Sequence, residues 1–185
     1  PDEYHERVSN NAYTNRMAKF VFKTAQDMIK IAREQYSDIY NNLSSKFDLE
    51  KLEADFKDSE ENMYVPSPNE DGIIEQFDGY FKLEDVYVDE VRSRLLDPKE
   101  YWGGAYGVAS DTQVLKQADV VAMLGIFSDE YDNEIMKRNL EYYEPRTEHG
   151  SSLSACMYSL LACRTNNAEF AYPFFMKSAT ADLKT

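Results

Sequence analysis

Apolar side chains recur at three- and four-residue spacing along the first part of the chain, a period typical of an amphipathic α-helix. Asparagine and threonine side chains between positions 11 and 15 can cap a helix, so we predict that the helix begins there. The spacing places one set of positions in a single stripe, which we expect to be buried: Met17, Phe20, Val21, Thr24, Ala25, Met28, Ile29 and Ala32.

A second helix is predicted over residues 48–62, where Leu49, Leu52 and Phe56 are set among charged residues. Because so few of its positions are apolar, this helix should lie on the surface of the protein.

The second half of the chain predicts four more helices, over residues 113–127, 129–142, 152–163 and 167–183. Ser128 can cap the second of these four, and Glu144-Pro145 ends it because the residue before a proline disfavours helical backbone. Pro173 is compatible with the last helix only within its first turn or two.

The segments between these helices are long and carry turn residues. Residues 64–72 form a loop with two prolines and an Asp-Gly turn, and residues 85–112 are irregular and contain YWGGAYG. The sequence GIIEQFDGYF at residues 72–81 is β-branched and aromatic, which predicts a short β segment. The fold class is therefore all-α, with about six helices, this short β segment, and loops long enough to carry function.

Composition restricts the class of protein and its partners. The 185 residues are 43% hydrophobic, enough for one domain with a core, and the net charge of −14 disfavours nucleic acid and anionic membranes as partners. No apolar run approaches the ~20 residues of a membrane span. The 14 tyrosines and 10 phenylalanines could stack on sugar rings, but aromatic side chains more often build cores, and we favour that interpretation.

The chain starts at Pro1 and shows no signal peptide, so we expect a fragment of a longer cytoplasmic protein. Cys156 and Cys163 share one helical pattern but are separated by roughly 10 Å along its axis, too far for a disulfide. Free thiols in the core of a protein from a reducing compartment fit this spacing best.

Three polar stretches could carry chemistry, and each also has a structural explanation. In Asp2-Glu3-Tyr4-His5-Glu6 three carboxylates repel one another, which favours a protonated acid, although acidic runs usually face water. Lys116-Gln117 lies inside a predicted apolar helix, at its rim or in a polar cavity. In YYEPRTEHGSSLSAC, His149, Ser151 and Ser152 stand where a helix begins, which suits phosphate binding but also ordinary capping.

These stretches, in this order, resemble the inverting disaccharide phosphorylases of glycoside hydrolase family 65. PDEYHERVSNNAYTNRMAKF resembles the general-acid segment of the family, KQADV its glucose-contacting Lys-Gln pair, and YYEPRTEHGSSLSAC its phosphate-binding loop. IIEQFDGYF resembles a segment beside the active site of the family. The sequence Glu-His-Gly-Ser-Ser in this loop is more similar to the corresponding motif of the kojibiose and nigerose phosphorylases than to that of the maltose phosphorylases. The resemblance covers nearly the whole chain.

The resemblance implies that residues 1–185 form roughly the second half of an (α/α)6 barrel, a partial catalytic domain. It makes Glu3 the catalytic acid, Lys116 and Gln117 the substrate-binding pair, and His149, Ser151 and Ser152 the phosphate-binding residues. The reaction would be inverting phosphorolysis of an α-glucosidic disaccharide to β-glucose 1-phosphate, with inorganic phosphate as co-substrate and with no cofactor or metal.

The family also places a Trp-Asp pair for the glucose site upstream of this chain, so we expect the fragment alone to be inactive. Half a barrel should expose apolar faces, which predicts self-association, and the parent protein would be a homodimer. Two alternatives stay open. The first is an inverting α-glucoside hydrolase on the same fold, with Glu148 as its base. The second is a non-catalytic helical interaction module.

Overall fold

The computed structural model describes residues 2–181 and 183; Pro1, on which the expectation of a truncated chain rests, lies outside the described residues. Within this part there are eight α-helices and no β-strand, so the all-α prediction is confirmed. The helices are α1 Ala12–Gln35, α2 Ser37–Ser44, α3 Leu49–Asn62, α4 Val88–Ser93, α5 Asp119–Ile126, α6 Asn133–Tyr143, α7 Ser154–Arg164 and α8 Ala168–Ala179. Six of them correspond to the predicted helices, and α2 and α4 are additional.

The chain divides into two compact units. One unit is Thr14–Val65, which contains α2, α3 and most of α1. The other combines Pro1–Tyr13 with Pro66–Thr185 and contains α4 to α8. All of the predicted site residues belong to this second unit.

Within the first unit, α1 and α3 pack side by side. The rings of Phe22 and Phe56 stack with their centres 6.1 Å apart, Gln26 donates to Glu60 at 2.9 Å, and Arg33 pairs with Glu53. Asp48 caps α3 by accepting the N–H of Lys51 at 3.0 Å. The prediction that α3 lies on the surface is confirmed, because Leu49 is its one buried residue among those described.

The prediction of one buried stripe on α1 is wrong. Phe20, Val21 and Met28 are 46%, 57% and 53% exposed, and Ala12 is the only buried residue described in this helix. The reason is that the contacts with α3 use a different set of α1 side chains, those of Phe22, Gln26 and Arg33. Three of the eight stripe positions are therefore exposed, and the other five are only partly buried.

The core of the second unit is built around α5 and a group of aromatic side chains. Val120, Val121, Met123 and Leu124 of α5 are completely buried. Tyrosines also fill this core, and three of them are at most 1% exposed: Tyr80, Tyr143 and Tyr158. Their hydroxyls contact Gln113 O, Ile74 O and Thr147 Oγ1 at 2.5 to 2.7 Å, so each of these three buried hydroxyls has a hydrogen-bond partner. The interpretation of the aromatic residues as core residues is confirmed for these three.

The predicted β segment at residues 72–81 is not a strand. Ile73, Ile74, Gln76, Phe77 and Tyr80 are buried, but the segment is an irregular chain that ends in a single 3₁₀ turn, Tyr80–Lys82. In place of a β-ladder, its backbone N–H and C=O groups form hydrogen bonds with the side chain of Asn139 and with the backbone N–H of Ala12. Asn139 accepts the N–H of Ile74 at 2.9 Å and donates to Gly72 O at 2.8 Å, and Ala12 N donates to Gln76 O at 2.9 Å. The β-branched pattern thus reflects core packing.

Two further sequence predictions concern thiols and membranes. Both cysteines are free, as predicted, but Cys163 is exposed and Cys156 only partly buried, so the expectation that they are core thiols is wrong. No helix in the described part of the chain is both long enough and apolar enough to cross a membrane.

Candidate active site

The segment that carries Lys116 and Gln117 is not helical, which corrects the prediction that it lies inside a helix. Helix α5 begins at Asp119, after Ala118 in extended conformation. Leu115 and Thr147 form an isolated parallel bridge, in which Leu115 N donates to Arg146 O and Glu148 N donates to Leu115 O, both at 2.8 Å. Apolar residues occupy both the extended and the helical part, so their spacing could not locate the start of the helix. The bridge brings Lys116-Gln117 beside the residues that follow Thr147.

The N-terminal acidic stretch reaches the same place. The carboxylate of Asp2 accepts Lys116 N at 2.7 Å and Gln117 N at 3.4 Å through Oδ1. Asp2 is 5% exposed, so the interpretation of this stretch as a solvated loop fails for Asp2, although Glu3 and Glu6 are exposed. Glu3 is consequently held next to the Lys116-Gln117 backbone.

Glu3 and Lys116 form an ion pair in which Lys116 Nζ lies 2.7 Å from Glu3 Oε2. The side chain of Glu3 is 53% exposed and that of Lys116 is 21% exposed, so the carboxylate is open to solvent and to a ligand. The hydrogen bond to Glu3 raises the pKa of Lys116 above its usual value, so Lys116 is a cation at neutral pH. Lys116 is therefore neither a rim residue of a helix nor a free surface lysine.

Aromatic residues hold the other side of Glu3. Tyr101 donates from its hydroxyl to Glu3 O at 2.7 Å, and the ring of Tyr4 lies against those of Tyr101 and Trp102. The glycine-rich YWGGAYG loop allows this approach, because a Cβ on Gly103 would lie 2.6 Å from Tyr4 Cα. Sequence reasoning did not predict Tyr101 as a neighbour of Glu3, and only its place in a glycine-rich loop hinted at a close backbone approach.

The predicted phosphate loop lies just before α7. Helix α7 begins at Ser154, two residues later than predicted, so Ser151 and Ser152 occupy the turn that leads into it. Ser151 accepts the N–H of Leu153 at 3.3 Å through Oγ and the N–H of Ser154 at 3.1 Å through its carbonyl. Glu148, on the other side of this loop, accepts the hydroxyl of Tyr4 at 3.2 Å.

His149 is packed into the protein and is not a cation. Its backbone has a left-handed φ of 59°, and its ring lies 4.6 Å from the ring of Tyr158 and 5.1 Å from that of Phe174. Burial lowers the pKa of His149 to about 4, so the imidazole is neutral at pH 7. Nδ1 contacts Ser154 Oγ at 2.8 Å, whereas the buried Nε2 has no hydrogen-bond partner in the described part of the chain.

A cavity of about 220 Å³ opens between the Lys116-Gln117 segment and the start of α7. The buried Oε1 atom of Gln117 has no hydrogen-bond partner among the described residues, and Gln117 lines this cavity. Other lining residues are Tyr13, Asp119, Leu153, Ser154 and Tyr158. An unpaired amide oxygen beside a cavity can accept a hydrogen bond from a ligand hydroxyl.

The six predicted site residues thus lie on three segments of the second unit, and hydrogen bonds join the segment of Lys116-Gln117 to each of the other two. Glu3 contacts Lys116 directly, and the segments of Lys116-Gln117 and of residues 146–148 are hydrogen-bonded to each other. Sequence reasoning treated Asp2 and His5 only as part of an acidic run, although a histidine among carboxylates was a visible signal.

Comparisons with known proteins identify the family of the chain. The model of the glycosyl hydrolase family 65 central catalytic domain matches residues 1–185. A nigerose phosphorylase from Lachnoclostridium phytofermentans is 60% identical over 98% of this chain and 24% of its own length. A kojibiose phosphorylase from Thermoanaerobacter brockii is 38% identical over 99% of this chain and 24% of its own length. A maltose phosphorylase from Bacillus subtilis is 30% identical over 99% of this chain and 23% of its own length.

The fold agrees as well. A solved structure of a kojibiose phosphorylase from human microbiome superimposes with a TM-score of 0.79 at 29% identity, over 99% of this chain and 24% of that one. The helices are thus those of part of an (α/α)6 barrel, as the resemblance implied. The chain spans about a quarter of the length of these relatives. The chain belongs to glycoside hydrolase family 65, and its residues 1–185 match the central catalytic domain of that family.

Proposed function

We propose that this chain contributes the acid and the phosphate-binding side of an active site that cleaves an α-glucosidic disaccharide by inverting phosphorolysis. The observation that carries the proposal is that Glu3 pairs with Lys116, while the segment of Lys116-Gln117 is hydrogen-bonded to the start of the loop that leads to α7. The disaccharide would be kojibiose-, nigerose- or maltose-like. The products would be β-glucose 1-phosphate and a free sugar.

In the proposed reaction, Glu3 gives its proton to the glycosidic oxygen while the bond from the anomeric carbon to that oxygen breaks. A phosphate oxygen attacks the anomeric carbon from the opposite face, which inverts an α-glucoside to a β-phosphate. Phosphate is already an anion near neutral pH, so the reaction needs no carboxylate base to deprotonate water. The leaving sugar keeps the proton, and Glu3 regains one from solvent.

Phosphate would be bound by N–H and hydroxyl donors of the loop before α7, with the positive charge supplied by Lys116. His149 is neutral, so it would contribute at most a hydrogen bond and no charge. Ser151 and Ser152 would supply hydroxyl donors beside the N-terminus of α7, whose dipole favours an anion. No cofactor or metal enters this reaction.

Gln117 would bind a glucose hydroxyl through its unpaired Oε1. Lys116 would, in addition to binding phosphate, control the protonation of Glu3. Proton donation requires a protonated Glu3, so the ammonium of Lys116 has to leave Glu3 when ligands bind. An incoming phosphate would attract it. Binding of phosphate and release of the acid for protonation would then be linked through one side chain.

The test uses the full-length protein and a panel of α-linked glucose disaccharides, with and without phosphate. Release of the β anomer of glucose 1-phosphate only when phosphate is present is the expected result. Cleavage that is indifferent to phosphate would replace the proposal with the hydrolase alternative and direct attention to Glu148. No cleavage of any substrate would favour the interaction module.

A further inference from the structure

Asp2 is a buried carboxylate that the proposed reaction does not use. Its side chain is 2% exposed and accepts four hydrogen bonds. Oδ1 accepts Lys116 N at 2.7 Å and Gln117 N at 3.4 Å, and Oδ2 accepts Tyr4 N at 3.1 Å and contacts His5 Nδ1 at 2.8 Å. One carboxylate thus joins the backbone on both sides of the Glu3–Lys116 pair.

His5 contacts an acceptor at each ring nitrogen. Nδ1 lies 2.8 Å from Asp2 Oδ2, and Nε2 lies 2.8 Å from the carbonyl oxygen of Thr112. A carbonyl oxygen can only accept, so Nε2 carries a proton. Three backbone N–H groups donate to the carboxylate of Asp2, so both of its oxygens act as acceptors, and the contact of Oδ2 with Nδ1 is satisfied by a proton on that nitrogen as well.

Asp119 is a second buried carboxylate near this pair, 6% exposed, and it accepts the N–H of Asp2 and the side-chain amide of Asn11, both at 2.8 Å. Burial raises the pKa of Asp119, whereas the hydrogen bonds that it accepts act in the opposite direction. The ring of His5 is 4% exposed and lies against the rings of Phe77 and Tyr80, in direct contact with one of these carboxylates.

We propose that His5 is a doubly protonated, positively charged ring and that the Asp2–His5 pair holds Glu3 at its working distance from Lys116-Gln117. Both residues are positioning residues, since both are buried whereas Glu3 is exposed. The inference about position rests on the proposed role of Glu3, whereas the inference about charge does not. His5 fixes Asp2, Asp2 fixes the Lys116-Gln117 backbone, and Glu3 follows Asp2 directly in the chain.

The charge is tested by neutron diffraction from crystals of the full-length protein, grown at neutral pD in heavy water. Deuterium on both Nδ1 and Nε2 of His5 is the expected result. Deuterium on a single nitrogen would overturn the inference about charge, whatever the enzyme does.

The positioning role is tested with two variants that each keep one hydrogen bond of the ring. The amide nitrogen of His5→Asn can take the place of Nδ1 and donate to Asp2, whereas that of His5→Gln can take the place of Nε2 and donate to Thr112 O. We expect His5→Gln to lower kcat for phosphorolysis about 100-fold, the effect of a catalytic group displaced by about 1 Å. His5→Asn should retain at least ten times more activity than His5→Gln.

A substrate that needs no acid separates misplacement of Glu3 from general damage. Fluoride leaves without protonation, so phosphorolysis of α-glucosyl fluoride should fall much less in His5→Gln than phosphorolysis of the disaccharide, because only the disaccharide needs the proton of Glu3. An equal loss on disaccharide and fluoride, or equal activity of the two variants, would overturn the positioning role. Glu3→Gln serves as the reference: if it cleaves the disaccharide normally, the proposed function itself has failed, independently of His5.

Discussion

Glu3 is exposed on its side chain, paired with Lys116 and held through its carbonyl by Tyr101. We predict that Glu3→Gln in the full-length protein lowers kcat/KM for the disaccharide by about 10² to 10⁴, the usual contribution of a general acid. The matched control is Glu6→Gln, an exposed carboxylate of the same stretch, which should change kcat/KM less than twofold. Steady-state phosphate-dependent release of glucose 1-phosphate measures both. Equal losses in the two variants would remove Glu3 from the role of acid.

The buried ring of His149 should make the folded protein less stable as the pH falls. Its pKa is about 4 in the folded protein against 6.5 ordinarily, so between these values the unfolded chain binds a proton that the folded chain does not. Folding is therefore favoured above pH 6.5 and loses free energy as the pH falls toward 4. We expect His149→Gln to lack this contribution, so that the urea midpoint of the wild type falls more steeply than that of the variant between pH 7 and pH 5. Parallel curves would contradict the buried, neutral ring.

The ion pair between Lys116 and Glu3 leads to a prediction about phosphate binding. Its ammonium contacts Glu3 at 2.7 Å and is proposed to move to phosphate. We predict that Lys116→Met raises the KM for phosphate at least tenfold, because the cation that attracts the anion is gone. The KM for phosphate in Lys137→Met, an exposed lysine on α6, should stay at its wild-type value. An unchanged KM for phosphate in Lys116→Met would exclude Lys116 from the phosphate site.

At the scale of elements, the irregular segment of residues 72–81 depends on helix α6. Asn139 is completely buried and satisfies both Ile74 N and Gly72 O. We expect Asn139→Ala to lower the free energy of unfolding by about 2 to 4 kcal/mol, since two buried backbone groups lose their partner. Lys137→Ala on the same helix should cost less than about 0.5 kcal/mol. Urea unfolding followed by circular dichroism compares them, and similar midpoints would show that Asn139 is not needed to hold this segment.

At the scale of the whole molecule, the exposed stripe of Phe20, Val21 and Met28 on α1 bears on association. Apolar side chains that stay exposed in one patch favour contact with another surface. We predict that the 185-residue chain by itself self-associates, and that replacing these three residues by serine makes it more monomeric. Light scattering over a range of concentrations measures the mass. A monomer at every concentration would favour the self-contained interaction module.

The positions of six of the eight described helices followed from the sequence, since a helix is defined by contacts between residues three and four apart. The same local signals identified the acidic stretch, the Lys-Gln pair and the Gly-Ser-Ser turn as polar sites beside apolar helices. The predictions of secondary structure were wrong where apolar residues are buried without belonging to a strand or a helix. The Ile73-Ile74 pair is buried without a strand, and Leu115 is buried in an extended segment that the pattern could not separate from α5.

Tertiary structure alone decided how these stretches act on one another. Asp2 bonds the backbone of a residue 114 positions away, Lys116 pairs with Glu3 across 113 positions, and no periodic pattern records such contacts. The tertiary structure also determines the surroundings on which the charge of each histidine side chain depends. The two histidines have similar sequence surroundings rich in polar residues, yet one is enclosed by aromatic rings and neutral, while the other bridges two acceptors. The free energy of an ionisable group depends on what surrounds it in space, and only the folded chain brings those neighbours together.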